Sequence, residues 1–150
     1  MPERSAREFA RAWQEMLAAR ELDRLSEFLR PDCVHEYPQS GERFVGIANI
    51  RGVFENYPGG LGTQLIGSLR VADHETPWAM APNFTLIRMT GSGDSYTSAV
   101  RARYPDGTDW YIVSMIELKD GLMSHATMFF APVFEAPEWR KPFAETGAGS

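Results

Sequence analysis

The sequence predicts an α+β fold in which helices come first and an antiparallel meander follows. Three observations carry this expectation. Apolar residues recur at helical spacing, with start and stop residues around them, from Ser5 to Pro58. Past that point only strand candidates remain. The longest apolar stretch, 110–131, is split by Lys119-Asp120-Gly121 into two arms rich in β-branched, aromatic and Met residues. An Asp-Gly between two such arms is a strong hairpin signal. Helices segregated from strands in the chain pack on one face of a sheet.

Ser5 with Glu8 three residues on reads as a capping box, and Phe9, Trp13, Met16 and Leu17 form the apolar stripe of a first helix. A second, short helix carries Leu22, Leu25, Phe28 and Leu29, with Pro31 as its stop. Cys33 to Tyr37 reads as a brief strand, and Pro38-Gln39-Ser40-Gly41 as a turn. A third helix begins near Gly46 with Ile47, Ile50, Phe54 and Tyr57 on one face, and ends at Pro58-Gly59-Gly60. The strand candidates are Gln64 to Val71, Asn83 to Thr90, Tyr96 to Tyr104, and the hairpin arms. Gly91-Ser92-Gly93-Asp94 and Pro105-Asp106-Gly107 supply the turns between them.

Alternation splits the hairpin into two faces. Trp110, Ile112, Ser114, Ile116 and Leu118 share one side with Leu122, Ser124, Ala126, Met128 and Phe130 of the return arm. Tyr111, Val113, Met115 and Glu117 share the other with Met123, His125, Thr127 and Phe129. Neither face is fully polar, so both sides are expected to be covered: one by helices, the other by a loop or a second subunit. The segment 132–150 holds prolines that oppose a regular helix, yet Phe134, Trp139 and Phe143 are aromatics a solvated tail does not need. It is expected to run extended over its own sheet or a partner subunit, with Thr146 to Ser150 disordered.

With 150 residues, a single domain spans the chain and buries roughly 70% of its unfolded surface. A net charge of -5 argues against nucleic acid as a partner. No apolar run approaches the ~20 residues of a membrane span, and the N-terminus lacks a signal-peptide core. One cysteine, Cys33, cannot form an internal disulfide. The expected location is therefore the cytoplasm. No motif asks for a cofactor. Gly59-Gly60-Leu61-Gly62 follows a helix instead of opening one and lacks the Lys-Ser/Thr of a phosphate loop. His35, His74 and His125 are far apart and have no metal-ligand spacing.

Polar residues on predicted inner faces are the candidates for a site. His35 and Tyr37 alternate onto one strand face with Cys33. They are either a core pair satisfied by backbone groups or the best pair for ligand contact and proton transfer. Cys33 reads as a buried, inert thiol. Ser114 is the lone polar residue on its hairpin face, and is either room for a ligand or simply small. Trp13 is core or a pocket wall. His125 lies opposite Ser114's face and suits an interface or the surface.

Several local stretches are similar to SnoaL-like proteins of the nuclear transport factor 2-like superfamily. Glu21-Leu22-Asp23 followed by Leu29-Arg30-Pro31-Asp32-Cys33-Val34 resembles the family's opening helix pair. The run from Glu36 to Gly46, leading into Asn49-Ile50-Arg51, resembles the turn before its third helix, and Glu117-Leu118-Lys119-Asp120-Gly121 its final hairpin. The resemblance implies a cone-like curved antiparallel sheet packed against three N-terminal helices, enclosing a pocket. It implies little about reaction, since the family holds isomerases, cyclases, epoxide hydrolases and transport factors. By motif spacing, the catalytic Tyr of its ketosteroid isomerases falls on Trp13, the base Asp on Tyr37 and the oxyanion-hole Asp on Ser114. The resemblance thus implies a cavity bordered by Trp13, Tyr37 and Ser114, with Trp110 and Ile112 on the same sheet face, but without that isomerase's chemistry. The expectation is a homodimer that binds a small apolar molecule, aromatic or polyketide-like, through Trp13, His35, Tyr37, Trp110, Ile112 and Ser114. His35 and Tyr37 are the candidates for any catalysis. The alternative is a non-catalytic protein-interaction module that uses the outer sheet face and the aromatic tail.

Overall fold

The structure, a computed structural model, describes residues 4–57, 78–81, 84–90, 94–104 and 106–145, of which 78–81 and 84–90 are described by backbone alone. The predicted strand 64–71, His74, Gly59-Gly60-Leu61-Gly62, the predicted helix stop 58–60, most of the 91–94 turn and the terminal 146–150 lie outside the described residues.

Helix α1 (Ala6–Ala18) starts as predicted: the Ser5 hydroxyl accepts from the Glu8 N–H at 3.1 Å, and the Glu8 carboxylate accepts from the Ser5 N–H at 3.0 Å. Its buried stripe is Phe9, Trp13 and Met16. The predicted second helix is a 3-10 turn, Leu22–Glu27, and ends before Phe28 and Leu29. Strand β1 (Leu29–Tyr37) is longer than expected and runs through Pro31. Proline is tolerated there because the pairing of β1 shifts register between Leu29 and Val34, leaving no regular ladder for the missing N–H to break.

A short strand β2 (Glu42–Val45) that the sequence did not suggest follows the turn at Pro38. Helix α2 (Ile47–Glu55) opens after Gly46, whose φ of 87° disfavours other residues, and buries Ile50 and Phe54. Then come β3 (Trp78–Ala81), β4 (Phe84–Thr90), β5 (Ser95–Arg103), β6 (Asp109–Lys119) and β7 (Leu122–Pro132). Asp120 and Gly121 close the β6–β7 hairpin with φ of 53° and 77°, the positive pair that a two-residue type I′ turn demands.

The sheet order is β2-β1-β7-β6-β5-β4-β3. The last five strands form the antiparallel meander, while β1 joins it by parallel pairing with β7. The sheet is therefore curved, mixed and unclosed, with the helices on its inner face. Phe9, Trp13, Phe28 and Phe54 make a ring-on-ring core there, with centroids 5.7–6.3 Å apart.

One alternation is corrected. β6 buries Ile112, Ser114, Ile116 and Leu118 as predicted, but β7 buries Met123 and Ala126. The register shifts between Glu117 and Leu118, so Leu118 pairs with Met123 and Glu117 with His125. Ser124 is the extra residue of this bulge, which turns Met123 from the outer face into the core. For the tail, only the first of the two expected alternatives, cover of its own sheet, is set aside. A 3-10 turn spans Glu138–Phe143, and Phe134, Trp139 and Phe143 are 73%, 74% and 88% exposed instead of covering their own sheet.

Candidate ligand cavity

Strand alternation and the end of α2 together shape two adjoining cavities that share part of their wall. An inner chamber of about 80 Å³ lies between α1, α2 and the sheet. Its wall includes Trp13, Leu17, Phe54, Tyr96, Val100, Ile112 and Met128. A wider outer cleft of about 970 Å³ is walled by Phe44, Val53, Tyr104 and Trp110, with Gln39, Glu42, Asn56, Asp106 and Thr108 at its rim. Tyr37, Tyr57 and Phe130 border both. They form the neck.

The neck is held by ring contacts and one amide. Tyr37 meets Phe44 and Phe130 edge-on, at centroid distances of 4.9 and 5.0 Å. The Gln39 side chain donates to the Phe130 carbonyl at 2.7 Å and accepts from the Phe130 N–H at 2.6 Å. Beyond the end of β1, this amide stands in for one more residue of the parallel ladder and so fixes Phe130. On the other side, the Tyr57 and Tyr104 hydroxyls are 2.5 Å apart with nearly parallel rings, and Tyr104 meets Trp110 edge-on at 6.0 Å. The Trp110 indole N–H donates to the Thr108 hydroxyl at 3.0 Å, which sets the ring at the mouth.

Burial governs the ionisable groups of this wall. It pushes the Tyr37 hydroxyl up to about 12, with Glu42 and Tyr104 adding to the effect, and raises Tyr57 and Tyr96 as well. These phenols stay neutral and can donate a hydrogen bond to a ligand. Asp106 at the rim is held below the usual carboxylate range by the Thr108 hydroxyl and N–H, which both donate to its Oδ1, at 2.5 and 2.9 Å. A carboxylate so stabilised is a weak base.

Of the residues expected at a site, Trp13, Tyr37, Ile112 and Ser114 border the inner chamber, and Tyr37 and Trp110 border the outer cleft. His35 borders neither, which corrects its expected place. It does share a face with Cys33 and Tyr37, but α2 covers that face as far as Phe54, whose ring meets the imidazole at 6.1 Å. The bulge at Ser124 brings Met123 in from the other side, with its sulfur 3.3 Å from His35 Nε2. Only 2% exposed, the imidazole is pushed down to about 4, mainly by burial and secondarily by His125. It is neutral and sequestered. Cys33 is fully buried, and burial raises its thiol to about 12. His125 is on the outer face, between the Glu36 and Glu117 carboxylates at 3.1 Å each.

The sequence did not single out Ser98, Tyr57, Tyr104, Gln39 or Phe130. Ser98 and Phe130 were legible as inward positions by alternation. The Tyr57–Tyr104 pair had no local signal, because its members are 47 residues apart. Among the described residues, no cluster of His, Cys, Asp and Glu is arranged to hold a metal, and no helix is long and apolar enough to cross a membrane.

A family model described as the SnoaL-like domain matches residues 10–126. No curated protein matches the chain. Among solved structures, a Burkholderia xenovorans protein described as nuclear transport factor 2-like and of unknown function is 27% identical, with a TM-score of 0.71 over 95% of this chain and 94% of that one. A Kribbella flavida protein, provisionally named a ketosteroid isomerase, is 24% identical at a TM-score of 0.69, over 94% and 88% of the two chains. A Sinorhizobium meliloti protein, provisionally named a polyketide cyclase, is 15% identical at 0.55, over 80% and 92%. The last two likenesses are of fold alone.

Proposed function

The chain belongs to the SnoaL-like domain family, and we propose that it binds a small, largely apolar molecule, aromatic or polyketide-like, in the two adjoining cavities. The body of the ligand occupies the outer cleft and one end passes the neck into the inner chamber. Trp13, Tyr37, Trp110, Ile112 and Ser114 are its contacts. The observation that carries this reading is the wall itself: rings and aliphatic side chains surround both parts, and a few polar groups sit at fixed points. That is the composition of small-molecule sites generally.

The wall favours holding a molecule over transforming it. No carboxylate, imidazole or thiol is among the described residues of the inner chamber. Tyr37, with its hydroxyl near 12, is a poor base at neutral pH. The test is a thermal melt with and without 2-naphthol, a soluble two-ring probe. Ligand at a hundred times its Kd stabilises the native state by about 2.7 kcal/mol, so the melting temperature must rise. No rise with 2-naphthol or with 2-methylnaphthalene would sink the proposal.

A homodimer through the outer face of β5–β7 is part of the same reading. Tyr111, Val113, Thr127 and Phe129 are half-buried there and Met115 is half-exposed, an apolar face that a second copy would cover. The exposed Phe134, Trp139 and Phe143 favour a second role as a protein-interaction module, with the tail extending that contact. Sedimentation at micromolar concentration decides: a monomer rejects the dimer.

A further inference from the structure

Ser98 and Ser114 are directly opposite each other on β5 and β6, and both border the inner chamber. They are 5% and 8% exposed, and they are buried more deeply than the Gln14 amide, which borders the same chamber half-buried; the rest of the wall is aliphatic and aromatic, with the Tyr37, Tyr57 and Tyr96 phenols. Among the described residues, neither hydroxyl has a hydrogen-bond partner. Cross-strand neighbours on one face hold their Cβ atoms about 5 Å apart, so one atom placed between them reaches both. A buried hydroxyl without a partner is costly, and Ala would fill each position more cheaply.

Resting on the binding reading above, we infer that this hydroxyl pair is a specificity element that reads an oxygen at the leading end of the ligand. The ligand class is a ring compound whose inserted edge bears a hydroxyl or keto oxygen. Each serine can donate to a ketone, and one can donate while the other accepts from a hydroxyl. A chamber of about 80 Å³ admits the edge of one ring and little more, so the oxygen must lie at that edge. Once the ligand fills the chamber and excludes water, one lacking the oxygen leaves both hydroxyls unpaired. Sites built to bond a polar group discriminate strongly against its absence for this reason.

The experiment compares 2-naphthol with 2-methylnaphthalene, which differ by a hydroxyl against a methyl group. Affinities are measured by fluorescence titration for the wild type, for Ser98→Ala combined with Ser114→Ala, and for Tyr57→Phe. The double variant is expected to lower the naphthol-to-methylnaphthalene preference roughly tenfold and to retain methylnaphthalene. Without ligand it is expected to melt no lower than the wild type, since it loses only unpaired hydroxyls. An unchanged preference overturns the inference while leaving the binding reading intact. A preference lost in Tyr57→Phe instead also overturns it, and places the oxygen at the neck. A double variant that melts lower shows that the hydroxyls already have partners and overturns it too. Failure of both probes to bind the wild type rejects the binding reading, and this inference with it.

Discussion

Acidification from pH 7 to pH 5 should weaken the fold through one side chain, His35. In the native state its imidazole lies between Met123 and Phe54 and is pushed down to about 4, against 6.5 when unfolded. The folded value is the depressed one, so the unfolded chain binds the proton first as the pH falls. Stability is complete above about 6.5, declines through the window from 6.5 to 4, and levels off below it. At about 1.4 kcal/mol per pKa unit, the full window corresponds to about 3 kcal/mol, of which about 2 kcal/mol is lost by pH 5. That is a large share of a net stability of roughly 5–15 kcal/mol. The carboxylates held low by their partners, such as Glu36, Asp106 and Asp109, contribute in the opposite pH range. Their stabilisation is present above the unfolded carboxylate values and is lost only as the pH falls below them, so it does not enter the pH 7 to 5 interval. The assay is urea unfolding of wild type and His35→Leu at half-unit steps. The wild-type curve should fall relative to the variant by about 2 kcal/mol between pH 7 and 5. A flat difference curve would refute the argument, because it would mean that His35 is solvated or already charged in the fold.

Gly121→Ala forces a side chain into a φ of 77° and should destabilise by about 1 kcal/mol, read as a lower urea midpoint at unchanged slope. Gln39→Ala removes both hydrogen bonds to the Phe130 backbone and should cost about 1–2 kcal/mol, with weaker 2-naphthol binding because the neck loosens. Equal affinity would show that Phe130 is held by its strand alone. Truncation after Val133 should weaken the proposed dimer, seen as a lower melting temperature at a given protein concentration and a sedimentation profile shifted toward monomer. An unchanged profile makes the tail a passenger. The pure protein should not isomerise a β,γ-unsaturated ketosteroid, since Trp13, Tyr37 and Ser114 provide neither the base nor the acid; turnover above background would place a base elsewhere.

What was legible in the sequence was local. The capping box of Ser5 and Glu8, the stripe of α1 and the Asp120-Gly121 turn each act within a few residues, and each formed as read. So did the inward face of β6, because nothing interrupts its alternation between Trp110 and Glu117. Long-range pairing was not legible. The parallel partnership of β1 with β7 joins residues some 90 positions apart, and β2 exists because β1 offers it an edge. His35 shows how one such feature displaces a site residue. Its strand face was read as intended, but a one-residue bulge at Ser124, invisible to period-2 reasoning, put Met123 over it. Tyr37, two residues further on, escapes that cover and reaches the neck.

Three tryptophans offer the most direct test of the cavity as a binding site. Trp13 borders the inner chamber, Trp110 the outer cleft, and Trp139 stands 74% exposed on the tail. Their indole N–H signals can be followed by nuclear magnetic resonance during a 2-naphthol titration, each assigned by a Trp→Phe variant. The cavity reading predicts that Trp13 and Trp110 shift together with one saturation curve while Trp139 stays in place. A shift confined to Trp139, or none at all, would contradict it.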